Sequence, residues 1–231
     1  MVAPLGPPQR PLPDEDLPSW TWRPEQKLLR VYHADPVRSG RQHRLFGPLN
    51  RFDQQIRDGH QRPKDQPDGR GVIYLAEMLG TGLAEAFQDQ GVEVGVCPNM
   101  RAVAIAPAAT AELLDITGSG VMKIGAVAGL ASGDYSRRMT QRWGRAIYED
   151  LQRFAGVRYR GAHQNGICVV AWERTSPLVF DPAEDFSLRD AILWGRVVRD
   201  LAQQGRKARQ ITVAACKTCQ QRGLKRRIAP A

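Results

Sequence analysis

Gly71-Val72-Ile73-Tyr74-Leu75-Ala76, with Leu79, Leu83, Ala86 and Phe87 after it, is the stretch on which the fold turns. A short apolar run opened by glycine has the length and composition of a buried strand, and the residues after it recur at helical spacing. The same pattern extends both ways. Upstream, Leu28-Leu29-Arg30-Val31-Tyr32 has the composition of a first strand, and order is expected to begin there. Downstream, Arg101 to Ala106 is a strand, and Thr110 is placed to cap a short helix over Ala111–Asp115. Ser136 to Phe154 is the clearest helix, with Met139, Trp143, Ala146, Ile147, Leu151 and Phe154 as its apolar stripe. Ile167 to Trp172 is a late strand, and Leu188 to Gln203 a last helix capped by Ser187. Gly118 to Gly133, rich in Gly, Ala and Ser, shows no clear element. Strands and helices mix without a βαβ rhythm, so the expected class is α+β.

The flanks have a different character. Residues 1–26 hold seven of the 16 prolines and are expected to form a flexible Pro-rich arm, with Trp20 and Trp22 as candidate tethers. The polar run from Gln54 to Arg70, punctuated by Gly59, Pro63, Pro67 and Gly69, has the composition of a long surface loop. Residues 186–231 carry eleven Lys and Arg against two Asp and Glu, which accounts for the whole net charge of +9. The expected organisation is therefore an arm (1–26), a compact domain (27–185) and a basic C-terminal helix and tail (186–231). That tail is either a solvated end or a contact for nucleic acid or an acidic partner.

Several classes of function are excluded or left without support. No stretch approaches the ~18 apolar residues that span a bilayer, and the proline-rich N-terminus lacks the apolar core of a secretory signal. Four cysteines in 231 residues make no disulfide framework, so a reducing cytoplasm is the expected location. No phosphate-loop or dinucleotide fingerprint joins a strand to a helix, and neither GxSxG nor HExxH occurs. Cys216-Lys217-Thr218-Cys219 is a CxxC, but the other cysteines, Cys97 and Cys168, are isolated and the histidines lie far off in sequence. The pair is therefore taken as incidental and no metal is expected; metal or redox use is the minor alternative.

What remains is a scattered set: Arg30 on the first strand, Arg51 in Leu49-Asn50-Arg51-Phe52, Tyr74 on the central strand and Glu85 on the helix after it, well off its apolar face. Taken singly, each suits a solvated surface residue. Together they resemble the RES domain, found in toxins of Res–Xre toxin–antitoxin systems. The matching segments are Leu29-Arg30-Val31-Tyr32-His33, Gly47-Pro48-Leu49-Asn50-Arg51-Phe52, Gly71 to Ala76 running into Ala84-Glu85, the Trp143/Ile147 helix, and Gly156-Val157-Arg158-Tyr159-Arg160-Gly161. The resemblance covers roughly residues 27–175.

The resemblance implies a single ADP-ribosyltransferase-like domain that attacks NAD⁺ at the nicotinamide–ribose bond. NAD⁺ would be a substrate, with no cofactor held, and an Xre-type antitoxin the expected partner. It further implies that Glu85 is catalytic and that Arg30, Arg51 and Tyr74 bind NAD⁺, with Tyr32, His33 and Gly161 as secondary candidates. Cleaving an N-glycosidic bond builds positive charge on the ribose, which a carboxylate stabilises. Arginines suit a pyrophosphate, and a tyrosine ring can stack on nicotinamide. The chain departs from the family at the slot of its serine, which holds Gly161, and in the long 54–70 loop. The alternative is a degenerate RES domain that acts as a binding protein through its basic tail.

Overall fold

Alternation along two central strands sorts their side chains onto the two faces of one sheet. The structure, a computed structural model, describes residues 5–34, 40–132, 135–163 and 165–221. In β5 (Val72–Ala76) and β10 (Ile167–Trp172), Val72, Cys168, Val170 and Trp172 join one apolar cluster, while Ile73, Leu75, Val169 and Ala171 join another. In chain order before β5 come β1 (Ser19–Trp22), β2 (Leu28–His33) and the short strands β3 (Phe46–Gly47) and β4 (Lys64–Asp65). After it come α1 (Leu79–Ala86), β6 (Glu93–Val96), β7 (Met100–Pro107), β8 (Ala111–Asp115), α2 (Gly120–Lys123), α3 (Gly129–Ser132), α4 (Arg137–Asp150) and β9 (Gly156–Arg160). Beyond β10 lie β11 (Leu178–Val179), β12 (Asp185–Ser187), α5 (Ala191–Gln203), β13 (Lys207–Gln210) and α6 (Lys217–Gln221). The class is α+β.

The main sheet runs β1-β8-β9-β10-β5-β2-β7-β11, with β12 also on β7. Trp22 from one end and Leu178 from the other share a cluster with Val103, Ile105 and Leu113, so the sheet curls until one face closes on itself. The opposite face packs under α4, whose Trp143, Ala146 and Ile147 are buried. Ser136 caps α4 through Met139 N, as its sequence suggests. A third cluster joins α1, α5, β6 and the end of the described chain. Pairing is continuous over six residues between β2 and β7, yet β2 meets β5 at a single register pair, Leu29↔Ala76. Past that pair the two strands part, and the opening between them is where the site lies. Among the described residues no helix is long and apolar enough to cross a membrane.

Five sequence expectations need correction. The Pro-rich arm is part of the body, and order begins well before Leu28. Leu5, Leu12 and Leu17 are buried in the apolar cluster that includes α4, Trp22 is fully buried, and Arg10 pairs with Glu149 and Asp150. Proline denies this segment helical bonds without stopping its leucines from packing. Ala111–Asp115 is the strand β8, held between β1 and β9, because ladder partners on both sides outweigh its local helix propensity. The glycine-rich segment holds α2 and α3, and Asp190, not Ser187, caps α5. The 54–70 loop is anchored from inside by Gln54, Gln55 and Gln66, all buried and bonded to backbone carbonyls.

The C-terminal segment is likewise not an appendage. The expected boundary at residue 186 cuts through β12, and β13 pairs in parallel with β6. Val197, Leu201, Cys216 and Cys219 are buried against α1 and β6. Arg222, Lys225, Arg226 and Arg227, which supply much of the tail's charge, lie outside the described residues.

Candidate active site

A cavity of about 250 Å³ opens where β2 and β5 separate, and Arg30, Arg51, Tyr74 and Glu85 all line it. Each arrives from a different element. Arg30 is central on β2. Tyr74 is central on β5. Arg51 sits on the turn after β3, and Glu85 in the last turn of α1.

The turn carrying Arg51 is built around one carboxylate. Asp53 is fully buried and accepts from Leu49 N (2.5 Å), Asn50 N (2.9 Å), Arg44 Nη2 (2.6 Å) and the Tyr74 hydroxyl (2.6 Å). The Tyr74 hydroxyl also bonds the Arg51 carbonyl. Burial, then the Asp53 charge, holds that phenol well above its ordinary range, so Tyr74 stays a neutral donor. Between Arg51 and Asp53, Phe52 adopts a left-handed φ of 55°, a conformation that costs a bulky residue about 1 kcal/mol or more. Helix α4 closes over it. A Cβ on Gly144 would come within 2.6 Å of the Phe52 backbone, so only glycine permits this approach.

The two arginines expected from sequence are incompletely bonded. Arg51 donates from Nη2 to the carbonyls of Leu130 (2.8 Å) and Ala131 (3.0 Å), and its guanidinium lies over the rings of Phe52 and Tyr159. Among the described residues, Arg51 Nε, Arg51 Nη1 and Arg30 Nη1 are buried without any hydrogen-bond partner. Burial, then the neighbouring Arg44 charge, pushes the Arg30 guanidinium down to about 10. Arg44, also on the cavity wall, differs in being answered by Asp53.

Glu85 reaches the cavity from α1. Its Oε1 accepts from His163 N at 3.3 Å. Gly161 leaves room for it: a Cβ there would lie 2.7 Å from Glu85 Oε1 and 3.0 Å from Cys168 Sγ. Gly161 therefore buttresses the carboxylate and is not among the lining residues. Cys168 lines the cavity, but burial, then the Glu85 charge, pushes its thiol up to about 12, so it is no nucleophile.

Tyr32 and His33 are placed elsewhere, for a reason of strand geometry. Side chains alternate along β2, so His33 faces away from Arg30 toward Cys97, Cys216 and Cys219. Tyr32 shares the Arg30 face but lies two residues on, donating to Asp185 Oδ2 at 2.7 Å beside a second cavity. Conversely, Asn50, Arg137 and Tyr159 line the first cavity without having been picked out. A signal for Arg137 was available. An arginine in the first turn of α4 runs against the helix dipole, which favours acidic residues there.

Residues 21–190 match the family model described as the RES domain. The chain is also similar to a solved chain in the M. tuberculosis MbcT–MbcA toxin–antitoxin complex. The two are 16% identical, with a TM-score of 0.46 over 76% of this chain and 90% of that one. Among curated proteins none matches.

Proposed function

The chain belongs to the RES domain family, and from that premise we propose that it is the toxin of a toxin–antitoxin pair and cleaves the nicotinamide–ribose bond of NAD⁺. One observation carries the reading: three buried guanidinium nitrogens on Arg30 and Arg51, without partners among the described residues, belong to arginines that line one cavity with Glu85. Buried donors left unpaired cost about 1–3 kcal/mol each, a cost that an anionic ligand removes on binding. A pyrophosphate offers oxygens for both guanidiniums.

With the pyrophosphate held there, the adjoining ribose reaches toward Glu85. The C1′–N bond breaks, nicotinamide departs with the electron pair, and positive charge spreads over C1′ and the ring oxygen. Glu85, already fixed by His163 N and Gly161, stabilises that charge with little reorganisation. The acceptor's oxygen then bonds C1′, and its proton passes to Glu85 or to solvent. Water, phosphate and a side chain of another protein are distinguished by their products: ADP-ribose, its 1″-phosphate, or a modified protein. Tyr74 holds the Arg51 turn through its hydroxyl and offers its ring to the cavity. An Xre-type antitoxin is the proposed partner, and the cytoplasm, where NAD⁺ is abundant, the proposed location.

The test incubates the purified full chain with NAD⁺ and follows free nicotinamide. Glu85→Gln should lower the rate roughly 10²–10³-fold with the fold intact. NAD⁺ binding without nicotinamide release would leave a binding protein. Neither binding nor release would end the reading.

A further inference from the structure

We infer that His33, Cys97, Cys216 and Cys219 form a structural zinc site that fastens the C-terminal segment to the strand carrying Arg30. The four come from three distant segments: the end of β2, the residue after β6, and the start of α6. Their ligand atoms all lie within 4.8 Å of one another. His33 Nε2 is 3.1 Å from Cys219 Sγ, 3.5 Å from Cys97 Sγ and 3.8 Å from Cys216 Sγ, and the sulfurs of Cys97 and Cys219 are 3.7 Å apart. Zn–S bonds of about 2.3 Å and a Zn–N bond of about 2.0–2.1 Å in a tetrahedron require edges of roughly 3.5–3.8 Å. The observed spacings therefore sit close to those of a four-ligand shell, with room for one ion and none for a cluster.

The surroundings match what such a shell needs. His33 Nδ1 faces the Ala34 carbonyl at 3.1 Å, which selects the tautomer with its proton there and turns the Nε2 lone pair toward the thiols. Asn99 Nδ2 donates to Cys219 Sγ at 3.5 Å, and the backbone N–H groups of Thr218 and Cys219 donate to the Cys216 sulfur. Three protein sulfurs and an imidazole leave no open position, the mark of a structural site. The three cysteines are buried, so water is largely excluded. A disulfide accounts for this less well. It would use two of the sulfurs, leave the third and the imidazole unexplained, and need the sulfurs at about 2.05 Å.

The family match ends at residue 190, so it does not cover the CxxC. Sequence separation made that pair look incidental; folding closes the gap, because β2, the residues following β6 and α6 converge on the α1/α5 cluster. Apolar contact across α6 is small: beyond Cys216 and Cys219 no residue of that helix is buried. A metal would supply what packing does not.

The test uses the full chain expressed in zinc-supplemented medium. Elemental analysis should find about one zinc per chain, released when a thiol-modifying mercurial is added. Chelated, reduced protein reloaded with Co²⁺ should show the intense visible bands of tetrahedral cobalt together with sulfur-to-cobalt charge transfer. Cys219→Ser should lose most of the metal, whereas Cys168→Ala, outside the cluster, should keep it. His33→Cys should retain one metal ion and strengthen the charge-transfer band, a result that distinguishes ligation from folding. Chelation of the wild-type chain should expose the C-terminal segment to protease, cutting first between residues 204 and 221. Zinc well below one per chain together with a featureless cobalt spectrum in the folded, reduced protein would overturn the proposal. So would full metal retention in Cys219→Ser.

Discussion

Two cavities flank the same strand, and their arginines live in opposite circumstances. In the second, Asp185 is nearly buried and answers Tyr32 (2.7 Å), Arg101 Nε (2.8 Å) and Arg41 Nη1 (3.5 Å). In the first, Arg30 and Arg51 have buried nitrogens that meet no hydrogen-bond acceptor among the described residues. A cation matched to its carboxylate is part of the architecture; one left unmatched at the wall of a cavity costs stability and is kept for a ligand. Arg44 shows the distinction within a single cavity, since Asp53 pairs with it a short way from Arg30.

The largest effect should come from removing that pairing. Asp53→Ala leaves the Arg44 guanidinium without its carboxylate and strips the Arg51 turn of its acceptor for Leu49 N and Asn50 N. A loss of about 3–5 kcal/mol is expected. Urea unfolding measures it, and a loss below 1 kcal/mol would mean that Asp53 does not organise the turn.

A reciprocal pair of variants tests the comparison directly. Arg30→Met removes a charge without a full complement of partners, so the melting temperature should stay or rise while NAD⁺ affinity falls roughly 10- to 100-fold, the worth of a charge-assisted hydrogen bond. Arg101→Met should do the reverse, lowering stability by about 1 kcal/mol, as fits an ion pair whose arginine is one-third exposed, and leaving NAD⁺ binding unchanged. If both variants lose stability and neither loses affinity, the distinction between matched and unmatched arginines fails.

How far the sequence discloses this depends on how local each signal is. The periodicities of Val72–Ala76, α1 and α4 are set by a single buried face, so they are visible in any short window. The Pro-rich arm and β8 depend on partners far along the chain: Leu12 and Leu17 join the cluster of Trp143 and Ile147, and Ala111–Asp115 pairs with Ser19–Trp22. No window contains both sides of those contacts. Arg30, Arg51, Tyr74 and Glu85 were visible only as a family pattern, since none has a periodicity in common with the others. Their convergence follows from the single-pair contact between β2 and β5, which the sequence does not mark. His33, a secondary candidate, lies away from the first cavity for a related reason. Three residues from Arg30 it looked like a neighbour, yet the strand period of two turns it to the other face.

The smallest effect is a titration. His43 packs against Thr175 and Ser176, and burial, with a further push from the Arg30 charge, lowers its imidazole to about 4. In the unfolded chain it titrates near 6.5. Between those values the unfolded state binds the extra proton, so stability rises with pH there. The contribution is intact above about pH 6.5, shrinks as pH falls, and is fully lost near pH 4. With the ring partly exposed, about 1 kcal/mol is expected, and His43→Gln should flatten that part of the stability curve. Arg30 gives the same titration a second use. Arg30→Met removes a cation felt by His43, so the imidazole should titrate at higher pH, and an anion bound at Arg30 should shift it the same way. Following the His43 ring protons by NMR with and without ADP-ribose measures both shifts. If the titration does not move in Arg30→Met, the Arg30 charge is already neutralised inside the protein, and its cavity would be no different from the one around Asp185.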